Sequence, residues 1–411
     1  MNRGKIITGL DVGTTYIRVV VAQTSGENLN VMAAAEIPAE GVSKGVITSI
    51  EDAVSSLSAV LEKAERLSGL PIESTFVAIS GSHVISEDSH GVVAVGKADG
   101  EIRDDDVERV IEAAQAVASP PNYEILHVIP RSFSVDNQTG IKDPVGMTGV
   151  RLEVDAQIIQ GLSTQVKNLT KCVYRTGVDI EDLVLGVLAG SEAVLTKRQK
   201  ELGVALVNIG GATTSLAIFE EGDILHTKVL PVGGMHITND IAIGLRTSVD
   251  VAEEIKITYG NCDVTKIEKR KEIDLSEFSE VESGYVSLKQ VTDIIQARVE
   301  EIFTMVETEL KKVERAGMLP AGIVFTGGGA KLPGLIDFAK NYLKLPAGIG
   351  RNQAVSSAID KINDVSFSTA LGLVVWGSQS FVTQPGSHRL ENLKPKEMMA
   401  NVKKIFKKWI P

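Results

Sequence analysis

Cysteine is scarce in this chain: Cys172 and Cys262 are the two among 411 residues. They have no metal-type spacing and no nearby histidine ligand set, so they exclude a disulfide framework and suit reduced thiols in a cytosolic protein. His83, His90 and His127 are scattered and read as surface or internally satisfied side chains. Long apolar runs are missing too. Met1–Lys5 is basic, but the run behind it is broken by Asp11 and is too short for a signal peptide. The most apolar later stretch, Ala370 to Trp376, falls far below the ~20 residues of a membrane span and reads as a buried helix. Positive charge is also in deficit, with a net −11, which excludes generic nucleic-acid binding. The deficit is uneven. Residues 394–411 carry six lysines against one glutamate, and the total less this +5 puts −16 on residues 1–393. No tandem repeat or low-complexity tract is present.

What is present is 43% hydrophobic and 23% charged residues, a soluble globular mixture long enough for two or more domains. One stretch organises it: Gly9-Leu10-Asp11-Val12-Gly13-Thr14-Thr15. The apolar run Lys5 to Leu10 reads as a buried strand that ends in an acid, a glycine and two hydroxyls. A second run, Ile17 to Ala22, follows at once, so the turn is tight and the strands form a hairpin. Glycine lets backbone N–H groups approach an anion, and threonine adds donors. Asp11 would be repelled by bare phosphate but suits a hydrated Mg²⁺ between them. Short Asp-x-Gly turns are common in any protein; repetition gives this one weight. Val207-Asn208-Ile209-Gly210-Gly211-Ala212-Thr213-Thr214 follows the strand Val204 to Val207 and precedes Ser215 to Phe219. Each unit then passes a polar turn, at 25–28 or 220–223, into a third strand near Leu29 to Ile37 or Ile224 to Leu230. Two copies imply a duplicated domain with a ligand between them. A third turn, Thr326-Gly327-Gly328-Gly329-Ala330, follows the strand Gly322 to Phe325 and precedes a helix from about Pro333, as in nucleotide loops.

These turns resemble the two phosphate loops and the adenosine loop of the actin, Hsp70 and sugar-kinase superfamily. Within it the chain resembles the FtsA family, actin homologues of bacterial cell division. The closer likeness rests on Gly233-Gly-Met-His-Ile-Thr-Asn-Asp240, Ala252-Glu-Glu-Ile-Lys256, Asp143-Pro-Val-Gly-Met-Thr-Gly-Val-Arg-Leu-Glu153 and a basic amphipathic C-terminus, and it runs from end to end. It implies an α/β, actin-like (ribonuclease-H-like) duplicated two-domain fold with a nucleotide cleft and an inserted small α/β subdomain. The expected layout is a first actin-like domain at 1–83 with 162–195 and 356–380, interrupted by the insertion at 84–161. The second follows at 196–237 with 320–355, interrupted by a helical subdomain at 238–319. A linker at 381–396 and an amphipathic helix at 397–411 complete the chain.

The resemblance implies ATP with Mg²⁺. Asp11 would hold the metal through water, beside Gly13, Thr14, Thr15 and Tyr16. Asn208, Gly210, Gly211, Ala212, Thr213 and Thr214 would face them, with Gly327, Gly328 and Gly329 lining the nucleoside. Gly233 and Gly234 would open a helix toward the phosphates, and Glu253 and Lys256 would meet the ribose. Spacing alone reads the last two as a surface ion pair on one helical face. Asn208 departs from the superfamily's usual aspartate, and Ala212 from a usual glycine. An amide oxygen still accepts from metal-bound water, but the anionic charge is gone. Binding with weak or no hydrolysis is expected, and no catalytic residue is assigned.

The implied partners are the FtsZ C-terminal tail, further copies in filaments, and an anionic membrane surface. A long helix, about Leu288 to Glu314, has an apolar stripe that reads as core, leaving Arg298 free on its polar side for the tail. Read from spacing alone, Arg298 is a solvated residue with an i,i+3 partner in Glu301. In the last stretch Met398, Met399, Val402, Ile405, Phe406, Trp409 and Ile410 make one helical face, and Lys403, Lys404, Lys407 and Lys408 fall between them. That composition suits a helix lying in the bilayer interface. The implied protein is peripheral at the cytoplasmic membrane face of the division site, where it polymerises and tethers FtsZ filaments. A small-molecule kinase or ATPase of this fold would need a catalytic base and an acceptor pocket, and no such acid cluster is visible. An actin-like pilus-assembly platform shares the fold but does not account for the basic tail.

Overall fold

The computed structural model describes residues 4–25, 28–96, 99–118, 120–268 and 270–382. Most of the expected linker and the whole segment Met398 to Ile410 lie outside them.

Two five-stranded sheets share one topology. In the first, Ile6–Val12, Tyr16–Ser25 and Asn28–Pro38 form an antiparallel meander, and Ser74–Ile79 and Asp179–Leu185 extend it in parallel on the other side of the first strand. In the second, Val204–Ile209, Thr214–Glu220 and Asp223–Leu230 repeat the meander, with Ile323–Thr326 and Ala347–Ile349 added in parallel. The repeat seen in two turns is a repeat of whole sheets. Burial on both faces explains the unbroken apolar runs. Leu10, Ile17 and Val19 to Ala22 are fully buried, with the helices Ile50–Ser68 and Ser368–Val382 packed on the first sheet. Ser49 caps the first of these helices by accepting the Asp52 N–H, and Gly69 ends it in the left-handed conformation.

Ser368–Val382 also packs against a second buried helix, Gly186–Val194, at the junction of the two lobes. A side chain at Gly372 would collide with the Ala189 carbonyl, and one at Gly9 with the Ala370 carbonyl. The helix is thus pressed against backbone on two sides. Sequence periodicity places a strand at Leu183 to Leu188 and a helix at Ser191 to Lys200. The structure instead has the strand Asp179–Leu185, the helix Gly186–Val194 and a short helix Lys197–Leu202 with a Thr196–Gln199 capping box. A helix buried on nearly every side has no amphipathic period to read.

The insertion is a four-stranded sheet, in the order Val84–Ala94, Arg151–Leu162, Tyr123–Val135 and Gln138–Ile141, with the helix Asp104–Ala118 packed on it. Read from sequence, Glu124 to Pro130 and Arg131 to Asp136 are two short strands of alternating character; in the structure they are one strand, Tyr123–Val135. Pro130 cannot donate to the ladder, and the register skips Arg131 in a bulge. The helical subdomain holds Gly234–Leu245, Val249–Tyr259 and Leu288–Lys312. The stripe of the long helix, Val291, Ile295, Val299, Ile302, Phe303, Val306 and Leu310, is core. Among the described residues no helix is long and apolar enough to cross a membrane.

Candidate functional site

The two polar turns close in the same way. Gly13 N–H donates to the Tyr16 carbonyl at 3.1 Å, and Gly210 N–H donates to the Thr213 carbonyl at 2.8 Å. They meet across the lobes: a methyl group on Gly211 would stand 2.5 Å from Thr15 Oγ1. The third turn packs on the strand that leads into the second. Gly327 has φ 82°, and a side chain there would strike Asn208 Oδ1; one at Gly329 would strike Ile209. Gly328 is exposed. All three turns therefore converge.

Within the first turn Thr15 and Tyr16 are exposed, and Thr14 Oγ1 accepts the Gly45 N–H at 3.0 Å. Asp11 is half-buried at the strand end, and desolvation pushes its pKa from 3.8 up to about 6, with Arg18 pulling the other way. Arg18 stands opposite in register but is hydrogen-bonded to Glu36 at 3.2 Å. A carboxylate short of positive charge, beside two converging glycine–threonine turns, fits a hydrated divalent cation. Among the described residues there is no cluster of three or more metal-ligating side chains.

The second turn differs from expectation in detail. Thr214 faces inward, fully buried, its hydroxyl donating to the Val232 carbonyl at 2.8 Å. Ala212 is buried and Thr213 half-buried. Asn208 Nδ2 donates to Thr369 Oγ1 on the first lobe's last helix at 3.2 Å, so it bridges the lobes. Gly233 and Gly234 do open a helix, but its first donors are engaged. Gly234 N–H and Met235 N–H go to the carbonyls of Gly210 and Gly211, at 2.9 and 2.7 Å. The helix terminus holds the second turn in shape. His236 joins in by accepting the Gly233 N–H at 3.1 Å.

Glu253 and Lys256 are more than a surface pair. Lys256 Nζ lies 2.5 Å from Glu253, 2.7 Å from Thr238 Oγ1 and 3.3 Å from the Gly234 carbonyl, and Thr238 also donates to Glu253. The cluster ties Val249–Tyr259 to the start of Gly234–Leu245. Sequence reasoning missed Thr238, Thr369, His236 and Arg18; of these only His236, three residues after Gly233, leaves a local signal.

Arg298 is not free. Its guanidinium grips Asp240 in a two-point pair, at 2.6 and 2.9 Å, and also donates to Glu301. It locks the long helix to Gly234–Leu245, a partner 58 residues away that i,i+3 reasoning cannot see.

Two matching sheets whose three glycine-bearing turns converge define an actin-like protein. Solved structures of that fold align along nearly the whole chain. A PilM–PilN type IV pilus biogenesis complex matches with TM-score 0.68 at 18% identity, covering 90% of this chain and 98% of that one. MreB5 of Spiroplasma citri bound to ADP matches with TM-score 0.54 at 14% identity, covering 97% and 98%. Residues 81–160 match the family described as "SHS2 domain inserted in FTSA", and 205–372 match "Cell division protein FtsA". Cell division protein FtsA of Pseudomonas aeruginosa is 39% identical over 92% of this chain and 90% of its own length, that of Bacillus subtilis 37% over 91% and 84%, and that of Escherichia coli K12 30% over 92% and 91%. The chain belongs to the FtsA family of cell division proteins.

Proposed function

We propose that this protein binds ATP with Mg²⁺ between its lobes, hydrolyses it weakly or not at all, and polymerises on the membrane to tether FtsZ filaments through the segment 397–411. The supporting observation is the contact of the two like turns, Thr15 against Gly211, with Asp11 beside them. Asp11 would hold the cation through water; Thr15, Gly211 and Thr213 would take phosphate oxygens, while Gly13 and Gly210, their N–H groups engaged within the turns, keep the turns in shape; Gly327 to Gly329 would line the nucleoside. The cation would neutralise phosphate charge. Titration calorimetry with ATP, with and without Mg²⁺, tests the reading; heats that ignore Mg²⁺ would count against it. The relatives at 30–39% identity are cell division proteins, so the kinase and pilus-platform alternatives are not favoured.

Asp11→Asn should separate stability from binding. Folding raises this pKa from 3.8 to about 6, so between those values the native state holds more protons than the unfolded state. Stability therefore falls as pH rises through that window, and the deficit persists above it. Without ligand, Asp11→Asn is expected to melt higher than the parent near neutral pH and to lose the Mg²⁺ dependence of ATP binding. Melts across the window together with calorimetry check both halves.

Asn208→Asp restores a negative charge to the second turn while the Thr369 hydroxyl can donate to it. Phosphate release from bound ATP should rise above the parent's, because phosphoryl transfer depends on positioning and charge neutralisation. Unchanged release would remove Asn208 as the reason for slow turnover.

For the FtsZ tail, Arg298→Glu is a poor test, since it sets three carboxylates together. The exchange Asp240→Arg with Arg298→Asp keeps the pair and reverses the charge at 298. A melting temperature near the parent's with weakened tail-peptide binding is expected; peptide binding at parental strength would exclude Arg298 as a contact.

A further inference from the structure

The insertion is joined by chain to the first lobe and by buried side chains to the second. Its base belongs to the first lobe: Val84, Ile129 and Ile159 enter that core, and His127 Nε2 accepts the Leu185 N–H at 2.9 Å. Two residues before Ile159, and so on the same face of the strand, Gln157 meets the second lobe instead. It is 1% exposed. Its Oε1 accepts both the backbone N–H and the hydroxyl of Thr227, each at 2.8 Å, and its Nε2 donates to His226 Nδ1 at 3.1 Å.

Thr227 lies on Asp223–Leu230, the edge strand of the second sheet, so Gln157 covers an N–H that an edge would leave open. From His226 the chain of bonds continues inward. Nε2 is 2.9 Å from Glu309 on the long helix, and Glu309 is held by Lys312 at 2.7 Å. With Nδ1 accepting, Nε2 carries the proton and donates, so the neutral ring satisfies both neighbours, and burial keeps its pKa low. Ser86 Oγ adds a contact to Thr227 Oγ1 at 3.1 Å. Farther out, Lys142 pairs with Glu221 and Asp223 at 3.2 and 3.0 Å, an exposed contact worth little. The buried part is fully paired, and such networks favour one arrangement over partial ones.

We propose that Gln157 is the joint that fixes the insertion to the second lobe, so that lobe closure over nucleotide and the swing of the insertion against the first lobe are one movement. The nucleotide half rests on the function proposed above; the joint does not. Lobe closure around a ligand is a common rigid-body motion, and here the rigid strand Arg151–Leu162 would carry it from the lobe junction to the tip of the insertion.

Spin labels at exposed positions test this in the full chain, both native cysteines being buried. The pair Thr139→Cys and Asn341→Cys reports insertion to second lobe; Thr139→Cys and Ser55→Cys reports insertion to first lobe. The first pair should give one narrow distance that Mg²⁺–ATP leaves in place, while the second pair's distance shifts. Gln157→Leu should broaden and shift the first distribution. Overturning results are a parental distribution in Gln157→Leu, or an ATP-driven shift in the first pair with the second unmoved. If calorimetry finds no ATP binding, the nucleotide reading fails, and the Gln157→Leu comparison still decides the joint. Should that variant not fold, Gln157→Glu, which keeps the acceptor for Thr227 and loses the donor to His226, is expected to broaden the first distribution; an unchanged one overturns the joint.

Discussion

Replacing Phe406 or Trp409 with glutamate is expected to abolish binding to vesicles of anionic lipid. Wound as a helix, the segment would place both residues on an apolar side opposite its lysines, and each swap would put a carboxylate where acyl chains would be. At ~1.5 Å per residue the segment is too short to cross a bilayer. It also sits near the ~12–15 residue limit below which an isolated helix is marginal, so lipid has to supply the helix's stability. Each lysine near an anionic surface adds ~1 kcal/mol, enough for reversible attachment of one copy. Firm attachment would come from many copies in a filament facing one membrane. Binding should therefore fall with salt and vanish on neutral lipid. Co-sedimentation checks it, and a glutamate variant that pellets as the parent does would show that the anchor lies elsewhere.

Gly372→Ala should destabilise the fold even though helix propensity points the other way. Alanine in place of glycine favours an exposed helix by ~0.8–1.0 kcal/mol. At this crossing the new methyl would overlap the Ala189 carbonyl and crowd Gly190 N. Backbone cannot rotate aside as a side chain can, and overpacking of this kind costs ~1–3 kcal/mol or more. Packing wins, and the urea midpoint should drop. Gly69→Ala, at a φ of 68° with open space around it, provides a contrast in which backbone strain acts without a clash. A Gly372→Ala midpoint equal to the parent's would mean that the two helices can separate at no cost.

The turns were legible because acid, glycine and threonine punctuate otherwise unbroken apolar strands, and because the punctuation occurs twice. The long helix was legible because its stripe keeps a helical period over seven buried positions. Gly186–Val194 was not, since burial on nearly all sides erases the period. Arg298 and Gln157 were misread or passed over for one reason: a polar residue on a periodic element looks solvated until the partner, brought from elsewhere in the chain, is known. The family resemblance places Thr214 beside Thr213 among the ligand donors, but Thr214 begins the strand and turns its hydroxyl inward to the Val232 carbonyl.

The helix Ser368–Val382 has a direction. Its start touches Asn208 through Thr369, and farther along Gly377 lies against Ile7 and Phe76, toward the beginning of the strand Ile6–Val12 that carries Asp11 near its far end. The two ends, Thr369 and Val382, are separated by about 20 Å of helix. Whatever follows Val382 leaves from the pole opposite the three turns. A molecule moored by that pole would keep its cleft clear of the lipid, so a filament lying on a membrane could be recharged from solution without first being released.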